Sequence, residues 1–286
     1  MPTPALAQLE AILSGQGHEP CPGVDIQFNV PLGAAPGGAE LHATIYRPGN
    51  RPAVPAPGFL VFHGGGFQHG NPDCSGAIAK MLAVTLGITT VSASYRLATE
   101  EKSTFPGLID DALHGYRWLQ AHSAELNINP TRVAVGGESA GVFLACHLAV
   151  NSPFVAWSAD EIRPAAFIFQ WGPIDLVARW FDRGESPGAE RPMLGTHYDE
   201  NPALYHRASP LTYAYGPLRP ALFIYGRQDM VVHARQGRLG HAAWQAAAAH
   251  SELHIINNIG HGVEGDNRSE HHQQLRAAVD FMAAMG

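Results

Sequence analysis

Cysteine is scarce in this 286-residue chain: Cys21, Cys74 and Cys146 are odd in number and far apart. That excludes a disulfide framework, and the three read as reduced or buried thiols. Positive charge is short as well. Eighteen Lys and Arg face 25 Asp and Glu, a formal charge of −7 with histidine neutral. No basic stripe is available to neutralise phosphates, so no nucleic acid is expected as a partner. No apolar run approaches the ~20 residues of a membrane span, so no stable membrane association is expected. The N-terminus lacks a basic flank leading into an apolar stretch; no signal peptide is expected, and the expected location is cytoplasmic. Metal-ligand spacing is missing too. The sixteen histidines form no H-E-x-x-H and no Cys pair accompanies them, while the adjacent His271 and His272 cannot converge on one helix face. No metal is expected.

What is present has the texture of an α/β protein. At 45% hydrophobic residues and this length, the chain can bury roughly three quarters of its unfolded surface without staples. A short amphipathic stretch, Leu6 to Leu13, precedes the Gly15–Gly17 region. Two alternating segments, Val24–Val30 and Glu40–Tyr46, flank a Pro/Gly-rich turn and predict an antiparallel hairpin. From residue 58 short apolar runs alternate with helix-length stretches, the pattern of a parallel sheet. Strands are predicted at Phe59–Phe62, Thr89–Ser94, Arg132–Val135, Ala166–Gln170, Ala221–Tyr225 and Leu253–Ile256. Helices are predicted near 74–86, 107–122, 140–150, 234–249 and 267–284. Between Trp171 and Pro220 the rhythm stops for about 50 residues, too long for a structureless loop, which predicts a helical insertion or lid; a long crossover helix is the alternative.

The strongest chemical signal is Gly137-Glu138-Ser139-Ala140-Gly141, between a strand and a helix. This is G-x-S-x-G in the context it requires. A serine at the tip of a tight elbow is backbone-strained, and glycines two positions either side remove the side chains that would collide. The following helix aims its amides at the site, which favours a developing oxyanion. Ser139 is therefore the candidate nucleophile, and it needs a base and an acid to orient the base. In the chain order Ser, Asp, His that this elbow predicts, Asp229 lies in the loop after one strand and His261, between glycines, in the loop after the last. Asp175 is the competing acid; Asp199 and Asp266 read as surface residues.

Donors for a tetrahedral oxygen are expected from His63-Gly64-Gly65-Gly66-Phe67, where consecutive glycines bring the backbone close to a substrate. The amides of Gly65, Gly66 and Ala140 are the candidates, with His63 anchoring the loop. A phosphate cradle is disfavoured, since neither Lys-Ser/Thr nor G-x-G-x-x-G follows. Phe67, Trp171, Phe181 and Tyr205 are candidates for lining a pocket or lid, with ordinary core as the alternative for each. Glu138 is a candidate to hydrogen-bond behind the nucleophile.

These motifs, with Tyr95-Arg96-Leu97-Ala98-Thr99-Glu100, Asp111-Ala112, Tyr116-Arg117-Trp118 and Asn129-Pro130-Thr131-Arg132 leading into the elbow, resemble the hormone-sensitive-lipase-like group of bacterial carboxylesterases. The resemblance runs from about residue 58 to the C-terminus. It implies an α/β-hydrolase fold with an eight-stranded, mostly parallel sheet. It implies a cap built from the N-terminal segment (1–20) and an insertion (172–219) on a single domain spanning 1–286. It also implies hydrolysis of small-molecule, short-acyl esters with no cofactor, and a possible homodimer. The chain departs from the family pattern at Thr99, where proline is usual, and at Val142 and Val263. It departs again at Asp229-Met230-Val231-Val232-His233, where Asp-Pro-Leu-x-Asp is usual. A more open or reshaped acyl pocket is expected.

Overall fold

A computed structural model describes residue 12, residues 19–262 and residues 268–285. Most of the Leu6–Leu13 stretch, and both Val263 and Asp266, therefore lie outside the described residues. The hairpin pairs β1 (Val24–Ala34) with β2 (Glu40–Pro48), antiparallel and with two register shifts. The remaining strands are β3 (Ala56–Phe62), β4 (Thr89–Ala93), β5 (Ile128–Glu138), β6 (Ala166–Gln170), β7 (Ala221–Gly226) and β8 (Ser251–Ile256). They form one eight-stranded sheet in the order β1-β2-β4-β3-β5-β6-β7-β8, parallel from β4 through β8. The sequence prediction holds, each strand gaining or losing residues mainly at its ends.

Strand alternation sorts the core into two layers. Phe59 and Val61 of β3, Ala134 of β5, Ile168 of β6 and Ile224 of β7 point to one face. There they meet α1 (Gly76–Leu86) and α8 (Arg268–Ala284). Leu60, Phe62, Val135, Phe169 and Phe223 point the other way. That face is covered by α2 (Gly107–Ala121), α3 (Ala140–Ala149) and α7 (Arg235–Ala246). Fully buried Trp244 of α7 shows how tightly this layer closes: its ring lies 5.7 Å from Phe169 and 5.4 Å from Phe223, both edge-on. Its Nε1 donates to the Arg219 carbonyl at 2.9 Å, so the one polar atom of the ring is satisfied. Truncating such a side chain costs about 3–5 kcal/mol.

The stretch between β6 and β7 is helical but broken. It holds α4 (Leu176–Asp182), α5 (Glu190–Leu194), α6 (Pro202–Ala208) and a 3-10 turn at Pro210–Tyr213. Three short helices replace one crossover helix because the sequence punctuates itself. Asp175 caps α4 by accepting from the Ala178 amide, and Asn201 caps α6 by accepting from the Leu204 amide. Left-handed Gly184 and Gly195 stop the first two. Among the described residues no helix is long and apolar enough to cross a membrane.

Candidate active site

Parallel strands gather their carboxyl-end loops on one rim of the sheet, where open α/β sheets bind ligands. Four such loops carry the chemistry-bearing residues: those after β3, β5, β7 and β8. At the tip of β5, Ser139 sits at φ 49° and ψ −117°, a left-handed backbone few non-glycine residues adopt. The flanking glycines are required by contact rather than by torsion. A Cβ on Gly137 would lie 2.2 Å from the Gly141 carbonyl, and one on Gly141 would lie 2.0 Å from the Phe62 carbonyl. The elbow is further pinned by the Ser139 amide, which donates to the Gln170 carbonyl at 2.9 Å.

Residues 122 and 32 positions apart in the chain meet here. Ser139 Oγ is 2.8 Å from His261 Nε2, and His261 Nδ1 is 2.7 Å from Asp229 Oδ2. Asp229 is buried at 3% exposure, and its second oxygen, Oδ1, accepts the amides of Val231 at 2.8 Å and Val232 at 2.7 Å. The carboxylate is thus anchored by its own turn and presents one oxygen to the imidazole. That geometry makes Nδ1 the donor and leaves Nε2 free to accept from the serine. Asp175, the competing acid, is spent on the α4 cap.

The loop after β3 packs against the elbow. A Cβ on Gly64 would sit 3.2 Å from the Ser139 Cβ. Gly65, at φ 122°, turns so sharply that a Cβ would lie 2.0 Å from the His69 carbonyl. Among the described residues the Gly65 and Gly66 amides donate to no backbone carbonyl, and Ala140, first residue of α3, holds one of the orphan amides of a helix start. Ala140 directly follows the serine, and the glycine loop meets the serine at Gly64. His63 does not face the cleft. Its Nδ1–H reaches the Gly64 carbonyl at 2.7 Å, its ring stacks on Tyr95 at 4.5 Å, and the Tyr95 hydroxyl donates to its carbonyl at 3.0 Å. Burial lowers the His63 pKa to about 4, so the ring is neutral and serves as a wedge beneath the loop.

The other candidates fall in several places. Phe67 is buried, edge-on to Phe143, with its carbonyl accepting from the Ala98 amide at 2.8 Å. Trp171 is buried beside the histidine loop, its indole nitrogen 3.5 Å from where a Gly262 Cβ would be. Tyr205 is buried, and its hydroxyl donates to the Thr196 carbonyl at 3.1 Å. Phe181 is half exposed and borders an open groove of ≈ 600 Å³ on the insertion, with Trp180, Glu185, His197 and Tyr198. Glu138 points away from the cleft, onto the face that carries α1, where Ser75 Oγ donates to it at 3.3 Å. Lost hydration pushes its carboxyl up to about 8.

Two supports were not legible in the sequence. Beside Glu138, in register on β6, Gln170 is fully buried, and neither its Nε2 nor its Oε1 has a partner among the described residues. On the insertion, Arg179 of α4 pairs with Glu190 of α5 and donates to the Val231 carbonyl. No spacing rule predicts either contact. By contrast Arg96, part of the family-like motif, grips Asp111 through Nε at 2.7 Å and Nη2 at 2.6 Å, a bidentate pair.

Comparison with known proteins agrees with this fold. A family model described as the alpha/beta hydrolase fold matches residues 59–264, and the chain belongs to that family. Its hormone-sensitive-lipase-like character is supported by the relatives. Esterase LipQ of Mycobacterium tuberculosis is 29% identical over 230 residues, covering 77% of this chain and 53% of that protein. The ethyl acetate hydrolase of Pseudomonas putida is 34% identical over 140 residues, 49% of this chain and 42% of that one. Carboxylesterase NlhH of Mycobacterium tuberculosis is 40% identical over 123 residues, 42% of this chain and 36% of that one. The chain spans about half the length, or less, of these curated relatives. Among solved structures, a truncated carbohydrate esterase from gut microbiota superposes with a TM-score of 0.74 at 19% identity, covering 91% of this chain and 96% of that one. A thermophilic esterase of Thermogutta terrifontis superposes at 0.72 with 23% identity, covering 93% of each. These likenesses establish the fold.

Proposed function

We propose that the chain is a carboxylic ester hydrolase that cleaves short-acyl esters through an acyl-enzyme on Ser139. The observation that carries this reading is the continuous hydrogen-bond chain from Ser139 through His261 to Asp229, with the serine on a strained elbow against which the glycine loop packs. The printed activities of the relatives point the same way.

In this mechanism Ser139 Oγ attacks the ester carbonyl carbon while His261 Nε2 takes the hydroxyl proton. The tetrahedral oxygen develops its charge toward the amides of Gly65, Gly66 and Ala140, each donor worth about 3 kcal/mol to the transition state. Asp229 holds the imidazole in its tautomer and stabilises the imidazolium. His261 then protonates the leaving alkoxide, and the alcohol departs. Water enters, gives a proton to the same histidine and attacks the acyl carbon; collapse returns the proton to Ser139 and releases the acid. No cofactor enters these steps. The insertion over 172–219 acts as the cap, with Trp171 bordering the acyl group beside the histidine loop.

The test is initial rates on p-nitrophenyl acetate, butyrate, octanoate and palmitate, with matched anilides, for the wild type and Ser139→Ala. Turnover of short esters that vanishes in the variant is expected. Anilides outrunning esters would replace the reading with an amidase. A folded wild type inert on every substrate would replace it with a binding protein on a hydrolase fold.

A further inference from the structure

The acid turn of this protein is held from an unexpected direction. Met230 and Val231 lie in solvent, 77% and 42% exposed, so no apolar packing pins the turn at these two positions. His233 stands where the resembled family usually carries a second acid. The turn is held within itself by the Asp229 carboxylate and, from outside, by the burial of Val232 in the core and by Arg179. That guanidinium comes from α4 of the insertion and donates Nη1 to the Val231 carbonyl while its Nε pairs with Glu190. Both partners of this ion pair are about 5% exposed, 6% for Arg179 and 5% for Glu190. Glu190 in turn follows Ala189, whose Cβ is 3.1 Å from where a Gly66 Cβ would stand. One buried cation therefore ties the turn that aims Asp229 to the segment lying on the glycine loop.

We propose that Arg179 is a positioning residue: paired with Glu190, it clamps the insertion onto the Asp229 turn and so sets the alignment of the acid with His261. The physical logic is geometric. The Val231 amide holds Asp229 Oδ1, and the Val231 carbonyl is held by Arg179, so one residue carries the restraint from the insertion to the carboxylate. A planar guanidinium can serve an acid and a carbonyl at once through different nitrogens, whereas an ammonium is a single point of charge. Burial makes the pair consequential, because removing one partner strands the other without water. This inference rests on the proposed triad, and its test has a readout that does not need turnover.

The experiment compares Arg179→Met, Arg179→Lys and the double variant Arg179→Met/Glu190→Met with wild type. The double variant removes both charges and keeps the fold testable if the single one leaves Glu190 stranded. Two quantities are read: kcat and KM on p-nitrophenyl butyrate, and the far-downfield proton resonance of His261 Nδ1–H bonded to Asp229. Both Met variants are expected to lose at least ~10-fold in kcat with KM within about 3-fold, as a misplaced catalytic group does. The resonance should broaden or shift in both, and Arg179→Lys should fall between them and wild type. A folded double variant with wild-type kcat and an unchanged resonance would overturn the proposal. So would a raised KM at constant kcat, which would make the pair a shaper of the cleft alone. Unfolding of both Met variants beside a fully active Arg179→Lys would overturn it too, by making the pair merely structural. If wild type hydrolyses no ester, the esterase reading fails, while the resonance still decides whether the clamp exists.

Discussion

The floor of the cleft and the insertion above it are built to different standards. On the floor, Ser139 and Asp229 follow the buried ends of β5 and β7, and His261 follows the half-buried edge strand β8. Ser139 is held at positive φ, Gly65 has no room for a methyl group, and Asp229 has both oxygens engaged. The insertion consists of helices of 7, 5 and 7 residues. It leaves Phe181 in solvent beside an open groove, while Leu176, Met193, Tyr205 and Ala208 anchor it in the core beneath. Chemistry demands sub-ångström placement, which strand ends inside a packed sheet supply. Recognition of a variable acyl or alcohol group tolerates a looser surface, and short helices that cannot stand alone give one.

The contrast can be broken most severely at the nucleophile. Ser139→Ala should cut ester turnover by roughly 10⁴–10⁶-fold while leaving the melting temperature nearly unchanged, because a triad acts as a unit and the alanine removes one half-buried oxygen and its bond to His261. Steady-state kinetics beside a thermal melt checks this. If turnover survived, the floor would not be where the chemistry lies.

Gly65→Ala comes next. The added carbon must displace the His69 carbonyl or the loop itself, moving the donors away from the oxyanion. A fall in kcat of about 10²–10³-fold with a smaller change in KM is expected, the scale of losing one such donor. The same change at Gly184, a left-handed residue of the insertion with open space around it, should leave kcat within about 3-fold and cost stability of about 1 kcal/mol.

The pH dependence of stability resides in part on the floor. Glu138 has a folded-state pKa of about 8 against an ordinary 4.5, raised by burial. The unfolded chain therefore releases this proton first, and stability falls as pH rises from about 4.5 to about 8, then levels off. On the acid side, burial lowers His63 to about 4 and His147 to about 3 from 6.5. Their contribution is complete above pH 6.5 and is lost as pH falls toward those values. Glu138→Gln should abolish the alkaline loss, raising the urea midpoint above wild type at pH 9 by the equivalent of a few kcal/mol and matching it near pH 4. An unchanged slope in the variant would move the alkaline sensitivity away from the floor.

The smallest effect belongs to the insertion. Phe181→Ala should change stability by no more than about 0.5 kcal/mol and leave kcat on acetate esters unaltered. Any response should appear in KM for longer or aromatic esters, read from the same p-nitrophenyl series. A large fall in kcat on the acetate would mean that the insertion is as tightly built as the floor.

The sequence by itself determined the sheet and most of the floor. Period-two and apolar patterns placed β3 to β8 within a few residues. The spacing of Gly137, Ser139 and Gly141 announced the elbow, and chain order brought forward Asp229 and His261. These are local signals, set by backbone sterics and by strands that must be apolar on both faces, so they survive in one dimension. The fate of the aromatic candidates was decided only in three dimensions: Phe67 and Tyr205 are buried, while Phe181 is half exposed, and no local pattern distinguishes the two. Only the tertiary structure set Glu138 beside the buried Gln170 amide and put Asp175 to work as a helix cap. It also joined Arg179, Glu190 and Val231. These arrangements depend on which faces meet when the chain closes over its sheet, and a pair of charges eleven positions apart in an irregular insertion leaves no period in the sequence to read.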